Sequence, residues 1–146
     1  IYYHDAVFGK AWYKAAKMTE DKMNGTNMIL IFALTYMLGL MISMSMISFS
    51  IHQFSTQGLF AMQEGFADQT GVHYEYFKNF MLKYGNLHRS FGHSAVHGIM
   101  ASVFIALPII ATNALFERRG WKYILIHFGY WLICITLIAG AVCAFV

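Results

Sequence analysis

Charge is scarce in this chain. Only 12% of its 146 residues are Asp, Glu, Lys or Arg, against about a quarter in a soluble domain. No Asp or Glu falls inside the three long uncharged stretches 28–51, 94–116 and 123–146, which argues against a carboxylate-driven ion pump. No hydrolase elbow, phosphate loop or dinucleotide fingerprint is present, and a net charge of +3 is too small for a nucleic-acid footprint, so no nucleic-acid partner is expected. Cysteine is limited to Cys134 and Cys143. Their spacing puts them on opposite faces of one helix, where they cannot bridge and say nothing about redox compartment. Proline occurs once, at Pro108. No basic start precedes a short apolar run at the N-terminus, so no cleavable signal peptide is visible.

What the chain does have is hydrophobic length. Each uncharged stretch exceeds the ~20 residues that a helix needs to cross the ~30 Å hydrocarbon core. The expected fold is an all-α integral membrane protein, one domain over 1–146. Its three visible transmembrane helices cover 27–52, 93–116 and 123–146, flanked by interfacial amphipathic helices. Ile1-Tyr2-Tyr3 reads as the aromatic end of a helix already under way, so a fourth span is expected before Ile1. Residues 4–25 read as an interfacial segment, with Trp12 and Tyr13 at the headgroups and Lys10, Lys14, Lys17 and Lys22 outward. Thr19-Glu20-Asp21 and Asn24-Gly25 supply turn or cap signals. Within the 53–92 connection, Tyr74, Phe77, Phe80, Met81 and Tyr84 form one stripe. They predict a helix over about 73–84, either interfacial or packed over the mouth of the bundle.

Lysine and arginine set the expected orientation. The Lys10–Lys22 segment and the 117–122 turn, with Glu117, Arg118, Arg119 and Lys122, are placed in the cytoplasm, and the 52–92 connection outside. Glu117 and its neighbouring arginines read as a turn-fixing ion pair, or else as an anion patch. Small residues offer helix-packing faces at Gly98, Ser102 and Ala106, and at Gly39 and Ser43. Pro108 is expected to kink its span by freeing the Phe104 carbonyl.

Four motifs in order carry a family resemblance. They are Phe8-Gly9-Lys10-Ala11-Trp12-x-Lys14, His93-Ser94-Ala95-Val96-His97-Gly98, Phe116-Glu117-Arg118-Arg119 and Gly129-Tyr130-Trp131. The chain resembles the bacterial integral membrane family numbered 1761 among the domains of unknown function, whose members look like small four-helix proteins with an FGKAW-type motif. The likeness spans nearly the whole chain except the 55–88 connection, and departs at Tyr3-His4-Asp5, where a Tyr-Ser-Pro-like run is expected. It implies a helix before Ile1 and no activity.

The histidines are the candidate chemistry. His93 and His97 share a helix face at i, i+4, and His52 and His88 fall near the same depth. Three readings remain open: hydrogen bonding across helices at a wet interface, which leads; a metal or haem site, since imidazole suits zinc, copper, nickel or haem iron; and a proton-linked or ligand role. At the other end His127 and His4 could face one another, with Thr112 and Asn113 as further polar interior candidates. Met37, Met41, Met44 and Met46 could ligate copper, but methionine is also an ordinary filler of apolar gaps.

The leading functional expectation is a small bacterial inner-membrane protein that acts as a non-enzymatic structural or accessory subunit, associating with itself or another membrane protein. A transporter or channel for a small solute or proton is the alternative, and a metal- or haem-binding subunit a further one. No cofactor is expected outright. The bilayer is the expected partner, with bound lipid or detergent on the surface.

Overall fold

The structure, a computed structural model, describes residues 1–19, 21 and 27–146. The turn and cap signals expected at Glu20 and Asn24-Gly25, together with Lys22, lie outside the described residues. Among the described residues six helices follow in order: α1 (Gly9–Ala15), α2 (Met28–Ser50), α3 (His52–Phe60), α4 (Gly71–Tyr84), α5 (Phe91–Phe116) and α6 (Trp121–Phe145). No strand occurs among the described residues. The helices α2, α5 and α6 are each long and apolar enough to cross a membrane, as the uncharged stretches predict.

Local signals explain the helix ends. The Asn27 side chain accepts from the Leu30 N–H at 3.1 Å and caps α2, and the Ser90 hydroxyl accepts from the His93 N–H at 3.3 Å to start α5. Proline does not end α5. Immediately before Pro108, residues Ser102–Ala106 widen into a π-helical turn, with the Leu107 N–H bonded to the Ser102 carbonyl. Pro108 lacks an N–H and its ring crowds the carbonyl four residues back, at Phe104. A widened turn is one way a helix accommodates this without breaking.

The core lies where α5 meets α6. A Cβ on Gly98 would sit 2.7 Å from Thr136 Cα and 2.8 Å from the Ile135 carbonyl oxygen, so only glycine allows the two backbones this close. Ala101 and Ser102 continue the buried face, while Ala106 is only half-buried at its edge. Met46 of α2 joins Ala101, Ile135 and Ala139 in the central cluster, with Ile42, Ala106, Trp131 and Ile138 around it. The rest of α2 is more loosely held, and its buried residues are Met46 and Ser50 alone. The Gly39 and Ser43 pair, expected as a packing face, is half-buried but makes no close backbone approach of the Gly98 kind among the described residues. A Cβ at Gly39 would have no neighbour within 4 Å, and the Ser43 hydroxyl donates to the Gly39 carbonyl at 3.0 Å.

Two elements differ from the expected layout. The helix of the first span stops at Ser50, and Ile51 turns extended (φ −106°, ψ 99°) before α3 begins at His52. The connection thus holds two helices, α3 and α4, closed by Phe60, Phe66 and Phe77, with Phe66 and Phe77 at 5.3 Å between ring centroids. The inward stripe of α4 is His73, Tyr74, Phe77, Phe80 and Met81. At the N-terminus α1 is only 7 residues long. Residues 1–8 fold back on it in tight turns, close enough that a Cβ on Gly9 would meet Tyr3, His4 and Asp5. Lys10 and Lys14 stay exposed, and the Trp12 indole reaches His127 on α6.

Candidate metal centre

Two helices with different directions bring three imidazoles to one point. His93 and His97 lie one turn apart on α5, and the break at Ile51 starts α3 with His52 facing them. His52 Nε2 and His93 Nε2 are 3.1 Å apart, as are His93 Nε2 and His97 Nε2, and all three ligand nitrogens lie within 4.8 Å of one another. The position of His52 is secured by its neighbour. The buried Gln53 amide donates to the Tyr84 carbonyl at 2.8 Å and the Leu87 carbonyl at 2.9 Å, tying the start of α3 to the turn after α4. Buried Ser94 adds a second tie, donating to the Ser50 carbonyl at 3.4 Å.

This arrangement has a chemical consequence. An imidazole nitrogen carries either one N–H or one in-plane lone pair. His93 Nε2 therefore bonds well to one of its two neighbours and leaves the other as a close, unfavourable N···N contact. A single cation among the three nitrogens would engage all three lone pairs. Ligands at ~2.05 Å from a tetrahedral ion are about 3.3 Å apart, close to the two 3.1 Å separations. The same geometry does not fit haem. Axial histidines straddle a flat macrocycle, whereas these rings meet nitrogen to nitrogen. His88 also reaches the cluster, but by its face: its ring stacks on His93 with centroids 4.6 Å apart and 19° between planes.

The opposite end of the bundle uses histidine differently. The Trp12 indole N–H donates to His127 Nε2 at 3.3 Å, and His127 Nδ1 lies 3.0 Å from the Tyr3 hydroxyl. Indole only donates, so Nε2 must be the acceptor, and the ring proton sits on Nδ1 and points at Tyr3. Tyr2 reaches the Ile126 carbonyl at 2.8 Å, and Gly129 leaves space for its hydroxyl. Burial among these rings, then neighbouring Tyr130, Tyr2, Tyr123 and Cys134, pushes the Tyr3 phenol well above its ordinary 10.0. Arg119 joins this end to α1, donating to the Ala16 carbonyl at 2.6 Å and to Glu117 at 3.4 Å. Arg118 takes the left-handed turn position at φ 54°.

The remaining sequence candidates do not gather into one path. His4 is exposed and accepts from the Ala6 N–H at 3.3 Å rather than facing His127. Asn113 borders a cavity of 150 Å³ with Glu117, Tyr123 and His127, while Thr112 is exposed on the flank of α5. Met37, Met41 and Met44 are exposed and Met46 is core. Gln53, Tyr3 and Trp12 escaped the sequence reading as positioning residues. For Trp12 a signal existed, since it lies in the Phe8–Lys14 motif.

The family model described as a protein of unknown function, DUF1761, matches residues 1–143, and the chain belongs to that family. No curated protein and no solved structure matches it.

Proposed function

We propose that this is a small membrane protein that binds one zinc-class divalent ion through His52, His93 and His97, as a non-enzymatic accessory subunit of a membrane assembly. The observation that carries the reading is the pair of 3.1 Å contacts sharing one nitrogen of His93, which a shared ion relieves and hydrogen bonding alone does not. Imidazole is a good ligand for zinc and its neighbours. Lys10, Lys14, Arg118 and Arg119 lie at the other end, and by the positive-inside rule this supports a cytoplasmic position for that end and an outer position for the metal, in the bacterial inner membrane that the reading proposes. The accessory role rests on α2. Most of its apolar side chains are exposed, and a groove of 600 Å³ between α2, α5 and α6 has a lining that includes Met41, Ile105 and Trp131. Such surfaces suit lipid or a neighbouring span. Transport is less well supported, since Thr35 and Ser43 bond back to their own helix.

Equilibrium dialysis of detergent-purified protein against Zn(II) tests the reading. One equivalent should be retained by the wild type, and His93→Ala, which removes a ligand outright, should weaken retention by more than the ~10–100-fold that loss of a ligand's hydrogen-bonding partner costs. Equal retention in both proteins, or none in the wild type, overturns it.

A further inference from the structure

We infer that His88 becomes the fourth ligand of the proposed ion, closing the site against water. The inference rests on the three-histidine reading and deepens it. Three imidazoles on a tetrahedral ion leave one position. A water there makes a catalytic-type centre, and a fourth protein ligand makes a closed one.

The chain supplies that ligand at the right place. His88 lies 4.6 Å from His93 and 6.1 Å from His52 between ring centroids. Its backbone is fixed on both sides. The preceding Leu87 carbonyl is held by Gln53, and the His88 carbonyl accepts from the Ser90 N–H at 3.0 Å, with Cys143 Sγ at 3.8 Å. The side chain, by contrast, is exposed and makes no hydrogen bond among the described residues. A cavity of 200 Å³ bordered by His52, His88, Phe80 and Tyr84 gives the ring room to leave its stack. His88 also keeps φ at +60°, a conformation uncommon for a residue with a Cβ. Rotation about its side-chain bonds turns a ring nitrogen from the face of His93 towards the point where the other three meet. Closed in this way, the ion is held for structure or transfer and has no water to activate, which agrees with a non-enzymatic protein.

Cobalt(II) distinguishes the two coordination sets by its visible spectrum. The variant to use is His88→Gly, because glycine adopts φ +60° without strain and an exposed residue contributes little to folding. With His88 bound, wild-type protein loaded with one equivalent of Co(II) should give a tetrahedral spectrum that does not change between about pH 7 and 9. His88→Gly should bind Co(II) at least ~10-fold more weakly and acquire a pH-dependent spectrum, as the water in the vacated position ionises near neutrality. A wild-type spectrum that already shows the water transition, with His88→Gly binding within about 2-fold, overturns the inference and leaves the three-histidine site standing. Wild-type protein that binds no Co(II) overturns both.

Discussion

The two ends of the bundle use histidine in opposite ways. At one end His127 has a partner for each ring nitrogen, a donor in Trp12 and an oxygen in Tyr3. At the other, His52, His93 and His97 turn their nitrogens on one another. The first pattern is complete within the protein and reads as structure. In the second, one nitrogen is shared by two neighbours that it cannot both satisfy, and it reads as a place for a cation. Residue type does not separate the two cases, and burial sets apart only the exposed His52, because His93, His97 and His127 are all half-buried. Donor and acceptor arithmetic does.

The strongest way to disturb the comparison is to move α5 against α6. Gly98→Ala drives a Cβ into the Thr136 and Ile135 backbone, where no flexible side chain can yield. Overpacking of this kind costs roughly 1–3 kcal/mol. Because Gly98 follows His97 directly, this variant should lose both thermal stability and Zn(II) affinity. Thermal unfolding with and without Zn(II) checks this, and an unchanged affinity would mean that the cluster is positioned independently of the α5–α6 contact.

His127→Phe sharpens the contrast instead. It strands the Trp12 N–H and the Tyr3 hydroxyl, at about 1 kcal/mol for each lost bond, and should lower the unfolding temperature while leaving the Zn(II) equivalent in place. A His127→Phe protein that lost its metal would erase the distinction between the ends.

The smallest effect comes from pH, and it acts on the two ends from opposite sides. Metal ligands must be unprotonated, so acid releases the ion. The Tyr3 phenol is held above its ordinary 10.0. Its folded form therefore favours the neutral state, and the stability this gives is whole below pH 10.0 and is lost as pH rises through the folded value. Phenolate absorbance during alkaline titration should show Tyr3 ionising later than exposed tyrosines, and early ionisation would mean that the aromatic cluster is open to water.

Much of this was legible in the chain. The three spans follow from uncharged length alone, and the i, i+4 spacing of His93 and His97 put both on one face. Helix rotation was not legible. That His52 turns into the cluster depends on the extended backbone at Ile51, where neither glycine nor proline marks a break, and on Gln53 finding two carbonyls more than thirty residues away in sequence. For the same reason His127 met Trp12 and Tyr3 and not His4. Local turns in residues 1–8 decide which ring of that segment reaches α6, and periodicity carries no information about them. Gly39 and Ser43 show the reverse case, a packing motif whose spacing is present but which brings no helix into close contact at Gly39 among the described residues.

The measurement that tests the central contrast most directly is nitrogen NMR of histidine-labelled protein in lipid nanodiscs during Zn(II) titration. The account predicts that the ring nitrogens of His52, His93 and His97 shift together and saturate at one equivalent, while those of His127 stay in place. Movement of His127 with the others, or no movement of the three at saturating Zn(II), would contradict it.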